Sequence, residues 1–200
     1  NNFKNSSHIR FAYNTLINSG RSYTFLKNYK KAQELFDIVI RESKDSLLLN
    51  YAYQSSGINS SHKQDYISAI KLLKTALKYP YFKQNRAIQT YFLSDSYYEL
   101  SYLDSSLKYA NITFKFSPDI VTRRECYRIL TNIYFQKNDV GNLKKHLSLY
   151  QDLSDSLRKI DNQPKGKEIE QIYLSQKKAT SSQFRVWLLI LSIIIISFIS

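Results

Sequence analysis

The chain has 200 residues, a formal net charge of +13 at pH 7, four glycines, three prolines and one cysteine. So little glycine nearly excludes Gly-rich phosphate loops and tight hairpin turns, and one cysteine excludes an internal disulfide or a multi-cysteine zinc site. Helices joined by short polar turns remain as the way to build a domain of this length, and the 17 tyrosines suit packing between helices. Composition therefore favours an all-α protein.

The first 160 residues carry a helix–turn–helix pattern that recurs after 37 residues. Small residues hold one position of each copy: Gly20, Gly57, Ser94 and Thr131. Twelve residues further on, the copies have Ala32, Ala69, Ser106 and Leu143. Polar turns separate the helical patterns, at residues 27–28, 63–65, 101–102 and 137–139. The pattern therefore predicts a repeat protein, since self-similarity at a fixed period marks that architecture.

The first copy shows the pattern most completely, through Gly20, Tyr23, Tyr29, Ala32 and Phe36. This order of a small residue, a tyrosine, an alanine and an aromatic residue resembles the tetratricopeptide repeat, a helix–turn–helix unit. The resemblance implies a right-handed superhelical α-solenoid over residues 8–160. The expected units are about 13–46, 50–83, 87–120 and 124–157. The period of 37 exceeds the usual 34 of that family, which implies slightly longer helices.

Ala69 indicates a close approach between the two helices of the second unit. A small residue on an otherwise bulky apolar helix face lets another backbone come near. We expect Ala69 to lie opposite Gly57, with Tyr66 beside the turn and Ala76 facing the next unit. These residues are predicted to be structural.

The resemblance also implies where a partner binds, because the first helices of such units line the inner face of the solenoid. The predicted partner-binding residues are Arg21, Phe25, Gln54, His62, Tyr91, Asp95, Tyr98, Glu99, Arg128, Asn132, Phe135 and Gln136. The same mapping places Ile17, Thr24, Tyr51 and Ile58 on this face. Aromatic residues with both charge signs suit a peptide or a protein helix. The alternative is that they are ordinary surface residues of a tyrosine-rich chain.

No catalytic, metal or cofactor site is predicted. The three histidines, His8, His62 and His146, lie far apart in the sequence and form no cluster of metal-ligand spacing. Cys126 has no histidine nearby in the sequence, which favours a packed thiol over a nucleophile. We therefore interpret this chain as non-enzymatic and without a cofactor, which leaves open a kinase output domain after residue 200.

The sequence changes character after residue 160. Residues 161–166, with Pro164, are predicted to break the helix and act as a linker. Residues 167–185 predict a juxtamembrane stalk helix, which could also cap the fourth unit or pair with a copy of itself in a homodimer. Residues 186–200, VWLLILSIIIISFIS, carry no charge and predict a transmembrane helix. Because a bilayer-spanning helix takes about 20 apolar residues, we expect either a truncated span or a short C-terminal anchor.

Helical repeats followed by a stalk and one membrane helix resemble a bacterial class of membrane-anchored repeat proteins. In that class the repeats lie in the periplasm, and a histidine kinase or a helix-turn-helix regulator follows in the cytoplasm. The resemblance implies a sensory input domain that binds a protein or peptide. A rival interpretation rests on Lys177, Lys178 and Arg185, since basic residues beside a membrane helix favour its cytoplasmic side. The chain would then be a cytosolic scaffold held by a C-terminal anchor.

The positive charge provides a third alternative, RNA binding by a basic solenoid. The basic residues are scattered singly and in pairs, such as Lys30-Lys31 and Lys144-Lys145, without a run of five. Scattered charges are more typical of solvated helix faces than of a phosphate-binding stripe. We therefore do not expect a nucleic-acid partner.

Overall fold

The protein is helical throughout the part of the chain that the structure describes. The structure, a computed structural model, describes residues 2–80, 82–116 and 118–161. Eight helices and no strand occur within these ranges. The helices are α1 (Asn2–Phe25), α2 (Tyr29–Glu42), α3 (Ser46–His62), α4 (Tyr66–Ala76), α5 (Lys83–Glu99), α6 (Leu103–Lys115), α7 (Ile120–Gln136) and α8 (Val140–Asp161). The all-α prediction is confirmed.

The turn inside each helix pair repeats with the period of 37 residues. Each turn has one residue with positive φ: Lys27 (60°), Gln64 (68°), Ser101 (62°) and Asn138 (54°). The residue after it bonds back to the end of the first helix, as from Asn28 N to Tyr23 O at 2.9 Å. A left-handed residue followed by this six-to-one bond is a Schellman motif, which satisfies a carbonyl in the last turn of a helix. The second helix therefore begins at the same register in every pair.

Short polar side chains begin three of the four second helices. Asn28, Asp65 and Asp139 each accept a hydrogen bond from the backbone N–H group three residues further on. Such a cap stabilises a helix by about 1 kcal/mol. Tyr102 holds the equivalent position before α6 and makes no side-chain cap. In three of the four pairs, the turn is thus specified both by the Schellman motif that ends the first helix and by the side-chain cap that begins the second.

The helix pairs stack by contacts between neighbours. The helices α1, α3, α5 and α7, here called the first helices, each contact the next first helix along the chain. The helices α2, α4 and α6, called the second helices together with α8, each contact the first helix of their own pair and of the following pair. His146 of α8 contacts the rings of Tyr127 and Tyr134 on α7. Such stacking is typical of a helical-repeat protein.

The core lies between the first and second helices. Ile17, Val39, Leu48 and Ala52 form a buried cluster at the junction of the first two pairs. The second helices also bury a small residue at the same register in three pairs. These residues, Ala32, Ala69 and Ser106, are each 0 % exposed. Their burial agrees with the structural role that the repeat pattern predicts.

Gly57 lies where α3 approaches α4, but its nearest neighbour differs from the expected one. A Cβ atom on Gly57 would lie 2.7 Å from Leu73 Cγ and 3.2 Å from Leu73 N. Leu73, rather than Ala69, is therefore the residue opposite Gly57. Gly20 lies likewise against Phe36, whose Cε1 would be 2.5 Å from an added Cβ. Ala69 and Leu73 are one helical turn apart, and spacing in the sequence does not determine which of the two lies closer to Gly57.

The chain divides into two compact units, Asn1–Leu153 and Ser154–Ser200. The described part of the second unit is the end of α8, up to Asp161, where Arg158 lies 3.6 Å from Asp155. Among the described helices, none has the length and apolar character that crossing a bilayer requires. The predicted stalk at 167–185 and membrane helix at 186–200 lie outside the described residues.

Candidate functional site

The predicted partner-binding residues all lie on the first helices. They are Arg21 and Phe25 of α1, Gln54 and His62 of α3, Tyr91, Asp95, Tyr98 and Glu99 of α5, and Arg128, Asn132, Phe135 and Gln136 of α7. We call the exposed side of these four adjacent helices the first-helix face. Phe25 and Phe135 are 87 % and 69 % exposed. Large apolar side chains this accessible are available to a partner.

A groove of about 460 Å³ opens on the first-helix face between α1, α3 and α5. Its lining residues are Arg21, Thr24, Phe25, Lys27, Tyr29, Ser55, Ile58, His62, Ile88 and Phe92. The volume falls within the range of about 300–1,000 Å³ that is common for ligand sites, which are also mostly apolar with a few polar groups. The groove brings together three predicted residues, Arg21, Phe25 and His62.

His62 contributes a neutral polar group to the apolar wall of this groove. Its ring meets the ring of Phe92 edge-on, with centroids 5.6 Å apart and planes at 72°. This geometry is favourable for aromatic pairs and fixes the imidazole against α5. Burial lowers the pKa of His62 below its usual value, so the ring is neutral at pH 7. A neutral imidazole can donate one hydrogen bond and accept another from a ligand.

The charged side chains that line the groove are both basic. Arg21 is exposed on α1, and Lys27 lies in the turn after it, where its φ is 60°. The lining residues include no aspartate or glutamate. The groove is therefore electrostatically complementary to an apolar segment that carries negative charge.

An ionic network joins α5 to α7. Arg128 Nη2 lies 3.4 Å from Asp95 Oδ1, and Arg128 Nε donates to Glu125 Oε2 at 2.8 Å. Arg124 Nη2 donates to the other oxygen of Glu125 at 2.6 Å. The side chains of Asp95 and Glu125 are only 17 % and 23 % exposed. This network holds charges of both signs together on α5 and α7.

The two carboxyl groups of the network have pKa values shifted in opposite directions. Burial raises the pKa of Asp95 above its usual value, despite the attraction of Arg128. Burial also acts to raise the pKa of Glu125, but hydrogen bonds from Arg128 and Arg124 outweigh it and lower the pKa. Burial raises the pKa of the neighbouring Tyr91 hydroxyl. Glu125 is thus the carboxylate that the network holds most firmly in its charged form.

The remaining predicted residues lie around this network. Gln136 Nε2 donates to the Tyr98 hydroxyl at 3.3 Å, which links the ends of α5 and α7. Glu99 and Gln136 are exposed, and Asn132 is half-buried. These side chains remain accessible to a partner.

Gln54 is not accessible, which corrects its assignment to the binding set. It is 6 % exposed, and its Oε1 accepts a hydrogen bond from Gln89 Nε2 at 3.2 Å. Ile17 is in the core at 3 % exposed, and Thr24 Oγ1 donates to Asn59 Oδ1 at 2.9 Å. Each inner first helix has a neighbouring first helix on both sides. The exposed side of each inner first helix is therefore narrower than the mapping from the tetratricopeptide family assumes.

The sequence reasoning missed six residues of this surface: Glu125 of the ionic network and five residues that line the groove, Lys27, Tyr29, Ser55, Ile88 and Phe92. Phe92 follows the predicted Tyr91 by one residue, and only the packing of α3 on α5 reveals which of the two lines the groove. Glu125 could have been found, because it precedes Arg128 by three residues, a spacing that allows an ion pair on a helix.

A second groove, of about 570 Å³, lies among α2, α3 and α4. Its polar floor is already paired within the protein. Gln33 Nε2 donates to Ser56 Oγ at 2.7 Å, and Asn59 Nδ2 donates to Tyr29 O at 3.0 Å. A ligand there would have to replace hydrogen bonds that the protein already makes. The groove on the first-helix face is therefore the better candidate for a binding site.

Cys126 is buried, as expected for a packed thiol, and burial raises its pKa to about 12. A thiol with so high a pKa is a poor nucleophile at neutral pH. Within residues 2–80, 82–116 and 118–161, no group of three or more His, Cys, Asp or Glu side chains could hold a metal ion. No protein family matches the sequence, and no curated protein is significantly similar to it.

Proposed function

We propose that this chain is a tetratricopeptide-like repeat domain that binds a peptide or protein segment on its first-helix face and has no catalytic role. The groove between α1, α3 and α5 is the observation that carries this proposal. It has the volume of a ligand site, aromatic walls and the highly exposed Phe25 at α1. Aromatic side chains, phenylalanine among them, are enriched at the core of protein interfaces, so Phe25 is a suitable anchor for a partner.

Membership of the tetratricopeptide class is supported by the repeated backbone geometry. A left-handed residue recurs every 37 residues in the turn of each pair. Gly20 and Gly57 hold equivalent places, and each faces a large side chain of its second helix, Phe36 and Leu73. A close helix crossing at a fixed register in successive pairs is what such a repeat requires.

The charges along the face suggest the kind of segment that binds. An apolar anchor would occupy the groove against Phe25, Ile58 and Phe92, with an acidic group near Arg21 and Lys27. Towards α5 and α7, the exposed Glu99 would favour a basic group. We therefore propose a short segment with an apolar centre and opposite charges at its two ends.

Selection from a peptide display library tests this proposal. Random peptides of about 12 residues would be selected on the 200-residue chain and then measured against Phe25→Ala. We expect about tenfold or greater loss of affinity, because truncating an exposed aromatic anchor commonly costs more than 1.4 kcal/mol. Ile67→Ala is the matched control, since Ile67 is 73 % exposed on α4. Selected peptides that bind Phe25→Ala as tightly as the unchanged chain would refute the proposal.

We further propose that residues 186–200 hold the domain at a membrane, with the repeats as the periplasmic input of a signalling protein. The uncharged run VWLLILSIIIISFIS supports the anchor. The basic flank of Lys177, Lys178 and Arg185 supports the rival, a cytosolic scaffold with the same anchor.

Protease shaving of spheroplasts that express the chain in its natural full-length context separates the two locations. An antibody against residues 1–160 would follow the repeats. Digestion while the membrane stays sealed supports the periplasmic proposal. Survival until the membrane is lysed supports the cytosolic scaffold.

A further inference from the structure

The second helices carry lysines with the period of the repeat. Lys71 of α4, Lys108 of α6 and Lys145 of α8 occupy equivalent positions, 37 residues apart, and all three are exposed. Lys78 and Lys115 form a second row with the same spacing, and both are exposed. Because α4, α6 and α8 begin 37 residues apart, Lys71, Lys108 and Lys145 lie at matching places on successive second helices, whereas Lys78 lies two residues after the end of α4.

Carboxylates are almost absent from α4 and α6, whereas α8 carries Asp152, Asp155 and Asp161. α4 contains no aspartate or glutamate, and the only one in α6 is Asp104, which Lys137 Nζ contacts at 2.6 Å. α2 differs, since it carries Glu34, Asp37 and Glu42. The excess of positive charge is therefore concentrated on α4 and α6.

We call Lys71, Lys74, Lys78, Lys108 and Lys115 the basic patch. None of the five forms an ion pair with a carboxylate in the described parts of the chain. The patch extends from one helix to the next. Burial raises the pKa of the Tyr109 hydroxyl on α6, and the positive charge of Lys74 on α4 acts to lower it. Lys74 therefore lies near Tyr109.

We propose that the basic patch docks on an anionic phospholipid surface. Lysines of α4 and α6 that have no ion pair among the described residues match the diffuse negative charge of lipid headgroups, which attract basic clusters within a Debye length of the surface. Ile67, 73 % exposed and four residues before Lys71, adds an apolar contact on the same helix. Four of the five lysines lie on α4 and α6 and Lys78 lies two residues after α4, so none is on a first helix and docking leaves the first-helix face free.

RNA is the less suitable polyanion for this patch. Proteins that bind single strands stack bases on free aromatic rings and use arginine for additional stacking. Here Tyr109 is stacked on Tyr97 at 5.5 Å, and Tyr79 on Tyr53 at 5.7 Å. α4 and α6 contain lysine but no arginine. The rings of Tyr79 and Tyr109 are thus engaged within the protein.

Acetylation footprinting tests the proposal residue by residue. The 200-residue chain would be labelled with an amine-reactive reagent beside vesicles of phosphatidylcholine, with or without about one third phosphatidylglycerol. We expect anionic vesicles to reduce labelling of the basic patch about threefold or more, and about 0.5 M salt to abolish the protection. Lys30 and Lys31 on α2 are internal controls that should label equally with both vesicles.

Charge removal provides the second measurement. The measured quantity is the ratio of the affinity for anionic vesicles to the affinity for neutral vesicles. A contribution of residues 186–200 that is equal for both kinds of vesicle cancels in this ratio. In Lys71→Gln/Lys74→Gln/Lys108→Gln we expect this ratio to fall about tenfold, because electrostatic attraction scales with the number of basic groups. The control Lys30→Gln/Lys31→Gln should keep it.

Two results would overturn the proposal. One is equal labelling of the basic patch beside neutral and anionic vesicles. The other is stronger protection by single-stranded RNA, with polyuridylate as the probe, than by anionic vesicles, which would assign the patch to nucleic acid.

Discussion

Ser94 and Ser106 join α5 to α6 by reciprocal hydrogen bonds: Ser94 Oγ donates to Ser106 O at 2.9 Å, and Ser106 Oγ donates to Ser94 O at 2.8 Å. Both residues are 0 % exposed. Gly57 and Ala69 hold the equivalent positions in the second pair. The same helix crossing is thus made with a glycine in one pair and with a polar contact in the next.

Replacing Ser106 by alanine should therefore weaken the third pair. We expect a loss of about 0.5–1 kcal/mol in the free energy of unfolding, because a buried hydrogen bond is lost while helix propensity improves slightly. Urea denaturation of Ser94→Ala, Ser106→Ala and the double variant would measure it. The hydroxyls also contact each other at 3.2 Å, so the cycle should show non-additivity. An unchanged midpoint for Ser106→Ala would contradict this role.

Two glycines should respond oppositely to alanine. Gly57→Ala would place Cβ 3.2 Å from the backbone N of Leu73, and overpacking of this kind costs about 1–3 kcal/mol. Gly141→Ala is the matched control, since its nearest atom, Asp139 Oδ1, would be 3.7 Å away. There alanine should stabilise α8 by up to about 1 kcal/mol. Thermal unfolding measures both, and equal effects would refute the close crossing at Gly57.

Glycine at a left-handed turn residue should stabilise the protein. Gln64 has φ of 68°, where residues with a Cβ atom are strained by about 1–2 kcal/mol. Gln64→Gly relieves this strain but makes the unfolded chain more flexible, so we expect a net gain of about 0.5–1 kcal/mol. Lys63→Gly, one residue earlier with φ of −75°, should destabilise instead. Equilibrium denaturation would compare the two, and a loss of stability in Gln64→Gly would contradict the turn geometry.

The ionic network predicts opposite pH effects for its two carboxylates. The folded pKa of Glu125 is lowered, so its contribution to stability is present above the unfolded pKa and lost as pH falls through the folded value. Glu125→Gln should therefore lose stability at pH 7, by about 1–2 kcal/mol for its hydrogen bonds to charged groups, and little at low pH.

The folded pKa of Asp95 is raised, so its contribution is present below the unfolded pKa and lost as pH rises through the folded value. Asp95→Asn should therefore be more stable than the unchanged chain at pH 7 and equal to it in acid. Melting temperatures of both variants between about pH 3 and pH 7 provide the measurement. The same sign of change for the two variants at pH 7 would contradict the network as described.

The backbone pattern of this protein could be predicted from its sequence more fully than the surface. The polar turns are local signals that recur at 37 residues, and the caps at Asn28, Asp65 and Asp139 follow the same period except at Tyr102. Burial of Gln54 could not be predicted, because it depends on the approach of Gln89 from a helix 35 residues away. Whether Phe92 lines the groove likewise depends on which face of α5 packs against α3. Local chemistry specifies the turns, whereas packing between pairs decides which residues remain exposed.

Photo-cross-linking tests most directly whether the first-helix face is the recognition surface. Benzoylphenylalanine would replace Phe25 in one variant and Ile67 in another, and each would be irradiated with a peptide selected from the display library. Both side chains are exposed, at 87 % and 73 %, but they lie on a first helix and a second helix respectively. We expect cross-links from position 25 and none from position 67. Cross-links at position 67, with none at position 25, would contradict peptide recognition by the first-helix face.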